Sequence, residues 1–160
     1  MSVSASNFPF QIELYTDGAA SGNPGPGGYG IVLVCNGHYK ELSAGYSYTT
    51  NNRMELLAVI VGLETLKLDG CIVQVFTDSS YVVNAVEKRW LFRWEKAQFK
   101  NVKNPDLWVR FLHVYRRHVV KMHWIKGHTG HLYNERCDRL AVAASMQPKL
   151  AEDLGYVGRY

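Results

Sequence analysis

The chain has 160 residues, 47% of them hydrophobic, which is enough apolar material for one domain with a single core. Its formal net charge of +4 is mildly basic, and its three cysteines match neither a disulfide framework nor a Cys-x-x-Cys metal motif. No apolar run approaches membrane-spanning length, and the N-terminus lacks the pattern of a signal peptide. We therefore expect a soluble, cytoplasmic protein with no membrane association.

The first half of the chain is predicted to contain three strands and one helix. A strand over residues 11–16 delivers Asp17, and the stretch rich in glycine and proline over residues 18–28 is expected to be a tight, ordered loop. Asn36-Gly37 separates two strand-like runs and is a strong hairpin signal, so the first three strands form an antiparallel meander. Apolar positions then recur at helical spacing over residues 53–68.

The second half of the chain alternates between strands and helices. Its predicted elements are a strand over 72–77, a helix through Val86, a partly helical basic stretch, a helix from Pro105 to about Arg117, a strand over 119–125 and a helix over 134–146. This order predicts an α/β domain, a mixed sheet with helices on its faces. We expect one domain over residues 1–160, with 1–9 and 147–160 as loosely attached tails.

Four carboxylates occupy informative positions. Asp17 and Asp78 each end an apolar strand with a Thr-Asp step, while Glu55 and Asp138 fall in helical segments. Each has an ordinary explanation alone, as a turn residue, a cap or a surface ion pair, but four such coincidences are harder to accept. Acids that converge repel one another unless a divalent cation holds them. The pattern predicts a metal site for phosphate chemistry.

The run from Gly25 to Gly30 formally matches the dinucleotide-binding pattern G-x-G-x-x-G. That pattern must open a helix, whereas here it leads into a strand, and Pro24 and Pro26 remove amide donors. We reject a nucleotide cofactor. Instead, we expect a backbone that lies close against something bulky, with Asn23 available for hydrogen bonds.

Histidines near the last acid raise the alternative of zinc. The spacing of His123, His128, His131 and Cys137 matches no common structural zinc signature, and an oxygen-rich set favours magnesium or manganese. We interpret His128, on a loop flanked by glycine, as a mobile group for proton transfer or product release. An exposed loop histidine without a role is an equal alternative for His131.

The stretch from Lys88 to Lys103 carries six lysines and arginines with aromatic residues between them. One interpretation is an amphipathic helix with a solvated basic face. The other is a surface that contacts a phosphate backbone and stacks on bases.

Together these segments resemble the type 1 ribonuclease H family, and in particular its free-standing bacterial enzymes. The resemblance runs in family order from about residue 12 to 146, through TDGAASGNPGPGGYG, TTNNRMEL, TDSSYV, the basic aromatic segment, NPDLW and KGHTGHLYNERCDRLA.

The resemblance implies a ribonuclease H-like fold, a five-stranded mixed sheet in the order 3-2-1-4-5. It also implies cleavage of the RNA strand of RNA–DNA hybrids with little sequence preference, leaving 5′-phosphate and 3′-hydroxyl ends. The implied cofactor is Mg²⁺, two ions with substrate, with Mn²⁺ as a possible substitute. By resemblance Asp17 bridges the ions, Asp138 helps hold the one that activates water, and Glu55 and Asp78 hold the one at the leaving oxygen.

The family's substrate contacts are likewise carried over by resemblance. The implied RNA contacts are the loop from Ala20 to Asn23, Asn52, Ser80 and Glu55, and the DNA strand is implied to meet Thr50, Asn51 and Trp90. The basic contacts are assigned to Arg89, Arg93, Lys96 and Lys100. No obligate protein partner is implied, a monomer is expected, and primer removal and R-loop clearance are the family's roles. The alternatives are a hybrid-binding module that does not cleave, and another nuclease or strand-transfer enzyme of the same fold.

Overall fold

The structure, a computed structural model, describes residues 10–127 and 130–156. Its strands are β1 (Gln11–Ala20), β2 (Gly25–Cys35), β3 (His38–Thr49), β4 (Ile72–Thr77) and β5 (Val119–Trp124). The helices in the described part are α1 (Asn51–Glu64), α2 (Ser80–Glu87), α3 (Trp90–Lys96), α4 (Pro105–Tyr115) and α5 (Leu132–Ser145).

The five strands form one mixed sheet in the order β3-β2-β1-β4-β5. The first three strands are antiparallel, and β4 and β5 run parallel to β1. The hairpin between β2 and β3 turns at Asn36 and Gly37, which both have positive φ, as this tight turn requires. The predicted sheet and its antiparallel meander are confirmed.

Helices cover both faces of the sheet. On one face α1 packs on β1 and β2 and is backed by α4, and the core there includes the fully buried Leu14, Ile60 and Phe111. On the other face α5 lies across β1, β2 and β3. No helix in residues 10–127 or 130–156 has both the length and the apolar character that a bilayer crossing demands.

The glycine-rich stretch is mostly strand, so the predicted loop over residues 18–28 is wrong in its extent. β1 continues to Ala20 and β2 begins at Gly25, leaving a short turn between them. The glycine-rich backbone lies close to another element, as expected, and that element is α5. A Cβ on Gly30 would lie 2.2 Å from the carbonyl oxygen of Cys137. Glycine serves here to let a helix backbone lie directly on a strand.

The C-terminal segment is firmly attached over residues 150–156, so the prediction of a loose tail is wrong there. Ala151 forms a parallel bridge with Tyr46, and Asp153 is only 6% exposed. Asp153 accepts hydrogen bonds from the buried Arg53, which needs a countercharge. The predicted tail at residues 1–9 and the end of the chain from 157 lie outside the described residues.

Candidate active site

Strand register brings two of the predicted acids together. β1 and β4 pair in parallel as far as Tyr15 and Phe76, and Asp17 and Asp78 each follow two residues later. The acids therefore lie where the two strands separate, at the carboxyl end of β4. Such an edge is where α/β sheets commonly bind ligands.

A glycine brings the third acid to the same point. Glu55 lies in the first part of α1, and the amide of Gly18 donates to Glu55 Oε1 at 3.0 Å and to Asp17 Oδ1 at 2.9 Å. A Cβ on Gly18 would lie 2.4 Å from the carbonyl carbon of Met54, so only glycine lets α1 approach β1 this closely. One backbone amide thus joins two carboxylates that are far apart in sequence.

The three carboxylates form a compact set of oxygen donors. Asp17, Glu55 and Asp78 each offer an oxygen, and these oxygens all lie within 4.8 Å of one another. Hard oxygen ligands of this kind suit a divalent cation such as magnesium or manganese. The residues present therefore fit a metal ion.

The electrostatics of the cluster favour a cation. Burial raises the pKa of Asp17 to about 7, and the charges of Asp78 and Asp138 add to the rise, although hydrogen bonds with Glu55 and the Gly18 amide offset part of it. Burial, followed by the charge of Asp17, raises the pKa of Glu55 well above its ordinary value. Carboxylates that are costly to ionise together are stabilised when a cation neutralises them.

The fourth acid lies beside the cluster rather than within it. Asp138 is half-buried on α5, and its charge contributes to the raised pKa of Asp17. In the described residues, the group whose oxygens all lie within 4.8 Å of one another consists of Asp17, Glu55 and Asp78. Asp138 is outside this group. α5 thus holds Asp138 near the cluster.

The histidine predictions have different outcomes. His128 lies outside the described residues. His131 is exposed and precedes the first turn of α5 without a side-chain capping bond. The thiol of Cys137 is buried and donates to the carbonyl of Tyr15. In the described parts of the chain, the candidate metal-binding group contains only carboxylates, which gives zinc no support.

Predicted contacts for the RNA strand and for the DNA strand form one polar edge, at the turn between β1 and β2 and the start of α1. The amide of Asn51 donates to Asn23 Oδ1 at 2.9 Å, and Asn51 Oδ1 accepts from the amide of Ala20 at 2.6 Å. These bonds fix the turn between β1 and β2 against the start of α1, which Thr50 caps by accepting from the amide of Arg53. Two further predicted contacts are exposed, Asn52 and Ser80.

The basic aromatic segment forms a bent protrusion around α3. The ammonium of Lys88 lies 5.4 Å from the ring centre of Trp90, and the guanidinium of Arg89 lies 4.7 Å from that of Phe92. A cavity of about 480 Å³ is lined by Lys88, Arg89, Phe92, Arg93, Glu95 and Lys96. The cations of this segment, including the remaining predicted contact Lys100, are exposed, whereas Phe92, Trp94 and Phe99 pack partly against the core.

The one acid inside this segment is engaged elsewhere. Glu95 accepts two hydrogen bonds from the guanidinium of Arg116, at 2.6 and 2.7 Å. Arg116 lies just beyond α4, outside the basic aromatic segment. It therefore neutralises the charge of Glu95 in place of a lysine or arginine of that segment. In the part of the chain that the structure describes, Glu95 is thus paired with Arg116 and not with Arg89, Arg93 or Lys96.

The model of the RNase H family matches residues 9–146 of the chain. The chain belongs to the RNase H family.

Curated relatives and solved structures agree with this membership. A ribonuclease H of Desulforamulus reducens is 60% identical over 149 residues, covering 90% of this chain and 93% of the relative. A ribonuclease H of Escherichia coli O127:H6 is 53% identical over 151 residues, covering 91% and 96%.

The solved structure of LC11-RNase H1 in complex with an RNA/DNA hybrid is 32% identical. Its TM-score is 0.64, and the match covers 83% of this chain and 95% of that one. The RNase H1 of Halobacterium salinarum NRC-1 is 28% identical with a TM-score of 0.65, covering 84% and 96%.

Sequence reasoning missed several residues that shape this carboxylate cluster. Gly18 controls the approach of α1, and Thr77 donates to Glu55, yet neither carries a charge that draws notice. One signal was available for Thr77, because both strand-ending aspartates follow a threonine. No local signal marked the pairing of Arg53 with Asp153, which are 100 residues apart.

Proposed function

We propose that this chain hydrolyses the RNA strand of RNA–DNA hybrids at the carboxylate cluster, with little sequence preference. The observation that carries the proposal is the meeting of Asp17, Glu55 and Asp78, from separate elements, in a chain of the RNase H family. Asp138, held close by α5, completes the proposed set. Two Mg²⁺ ions are proposed as the cofactors, with Mn²⁺ able to replace them.

The residues of the site have separate tasks in this proposal. Divalent cations, when bound, would lower the pKa of water and neutralise charge on the reacting phosphate. In the proposal, Asp17 would help hold both ions, Asp138 would help hold the one that activates water, and Glu55 and Asp78 would help hold the one at the leaving 3′ oxygen. The products are then a 5′-phosphate and a 3′-hydroxyl.

No side chain has to form a covalent bond to the substrate. Burial raises the pKa of the Cys137 thiol, which precedes Asp138 on α5. Thiols that resist ionisation are poor nucleophiles. Direct attack by water therefore fits the residues around the cluster better than a covalent intermediate.

Selectivity for hybrids is proposed to arise from two surfaces. On the polar edge, the amide groups of Asn23 and Asn52 can read 2′-hydroxyls of the RNA strand in a minor groove, and Thr50 and Asn51 are proposed to contact a phosphate of the DNA strand. The protrusion around α3 offers cations and the ring of Trp90 to the DNA strand. The related LC11-RNase H1, solved with an RNA/DNA hybrid, supports this class of substrate.

Further parts of the proposal concern turnover and setting. His128 is proposed to assist proton transfer or product release, so His128→Ala should slow turnover without stopping it. Complete inactivity of that variant, with folding intact, would give the histidine a more essential role. We also propose a monomeric cytoplasmic enzyme with no obligate protein partner, acting in primer removal and R-loop clearance.

The test uses end-labelled RNA–DNA hybrid beside duplex RNA, duplex DNA and single-stranded RNA, each with Mg²⁺. The expected result is cleavage of the RNA in the hybrid alone, abolished by EDTA. Binding of the hybrid without cleavage, in Mg²⁺ and again in Mn²⁺, would refute the proposed hydrolysis. Such a result would make the chain a hybrid-binding module.

A further inference from the structure

The two Thr-Asp steps of the sequence are equivalent in the sheet. β1 and β4 stay in register up to Tyr15 and Phe76, and Thr16 and Thr77 are the next residues of their strands. Both threonines are fully buried. Side chains alternate along a strand, and Thr16 and Thr77 are in phase with the core residues Leu14 and Val75, so both point to the face covered by α1.

The hydroxyl of Thr77 links two parts of the carboxylate cluster. It donates to Glu55 Oε2 at 3.3 Å and accepts from the amide of Ser79 at 3.1 Å. The other oxygen of this carboxylate, Glu55 Oε1, accepts from the amide of Gly18. Each oxygen of Glu55 therefore accepts from a neutral donor, and the bond from Ser79 to Thr77 closes a turn around Asp78, which lies between them in the chain.

We propose that Thr77 is a positioning residue for cation binding. Its hydroxyl fixes the rotation of the Glu55 carboxylate while holding the turn that carries Asp78, so that both acids face the same point. A valine would keep the shape of the side chain and lose both hydrogen bonds. The inference rests on the metal-binding role proposed above for Glu55 and Asp78.

The matching residue in β1 provides a control of the same shape and burial. The hydroxyl oxygen of Thr16 is buried and has no hydrogen-bond partner among the described residues. It therefore gives no support to a carboxylate, although it occupies the corresponding position one strand away. Thr16→Val should be harmless or slightly stabilising, since it removes an unsatisfied polar atom.

The experiment compares the wild type with Thr77→Val, Thr77→Ser and Thr16→Val. Calorimetric titration of Mg²⁺ into the metal-free protein gives Kd, and hybrid cleavage against Mg²⁺ concentration gives the half-maximal requirement. Thermal unfolding without metal gives Tm separately. For Thr77→Val we expect Kd to rise about tenfold, or ~1.4 kcal/mol, with kcat at saturating Mg²⁺ within about threefold of the wild type.

Thr77→Ser should restore the wild-type Kd, because it keeps the hydroxyl, and Thr16→Val should not change it. A lower Tm for Thr77→Val with an unchanged Kd would overturn the inference and make Thr77 purely structural. That result would leave the proposed hydrolysis intact. Failure of the wild type to bind Mg²⁺ would instead refute the metal role itself, and the inference with it.

Discussion

Removing one buried acid from the C-terminal segment should destabilise the whole domain. Asp153 accepts from Arg53 Nε at 2.7 Å, from Arg53 Nη2 at 3.0 Å and from the hydroxyl of Thr49 at 2.7 Å. The guanidinium of Arg53 is 2% exposed, and its other acid, Asp106, is 41% exposed. Asp153→Ala therefore leaves the buried guanidinium of Arg53 with Asp106, a partly exposed acid, as its countercharge.

The size of the effect follows from this arrangement. Breaking a buried ion pair by removing one partner costs about 3–5 kcal/mol. Because Asp106 keeps two hydrogen bonds to Arg53, at 2.7 and 2.9 Å, we expect the lower end, about 3 kcal/mol. For a chain of this size, that corresponds to a fall in Tm of roughly 6–12 °C.

Urea unfolding followed by circular dichroism measures the free energy of unfolding. The matched control is Glu64→Ala, which breaks the Arg110–Glu64 pair, whose side chains are 46% and 35% exposed. Exposed pairs contribute at most about 1 kcal/mol. If Asp153→Ala lost no more stability than Glu64→Ala, the view that the C-terminal segment is an integral part of the fold would be refuted.

Three further predictions concern the carboxylate cluster. Folding raises the pKa of Asp17 from 3.8 to about 7, so the metal-free protein should gain stability as pH falls from 8 towards 5; a Tm that is flat or falls over this range would contradict that shift. Asp17→Asn removes the repulsion and should raise the Tm of the metal-free protein at pH 7.5 while cleavage is lost; an unchanged or lower Tm would argue against strain between these acids. Gly18→Ala should lower stability by about 1–3 kcal/mol and hybrid cleavage at least about tenfold, because its Cβ would collide with the backbone of Met54; wild-type behaviour would show that α1 can move without loss.

The strand-ending acids could be predicted from sequence because local patterns determine their positions. An apolar run followed by Thr-Asp predicts a buried strand and its end, and parallel pairing then places Asp17 and Asp78 side by side. The helix carrying Glu55 was equally visible from its apolar spacing. What the pattern does not contain is the distance between α1 and β1, which depends on the absent side chain of Gly18.

The C-terminal segment was mispredicted for a different reason. Asp153 lies in a short stretch with no periodic apolar pattern, so nothing nearby indicates burial. Its burial depends on Arg53, the first residue of a predicted helix, where nothing in the sequence indicates a buried charge. A pairing between residues 100 positions apart is a property of the folded chain, and local reasoning does not reach it.

The central claim is that carboxylates from separate elements act as one metal-dependent hydrolytic site. The most direct measurement compares the wild type with Asp17→Asn, Glu55→Gln, Asp78→Asn and Asp138→Asn for cleavage of a labelled hybrid in Mg²⁺, with hybrid binding measured in parallel. We expect 5′-phosphate and 3′-hydroxyl products from the wild type, and strongly reduced cleavage with retained binding in every variant. Wild-type turnover in any of the folded variants would remove that carboxylate from the site, and wild-type turnover in Asp17→Asn would contradict the account.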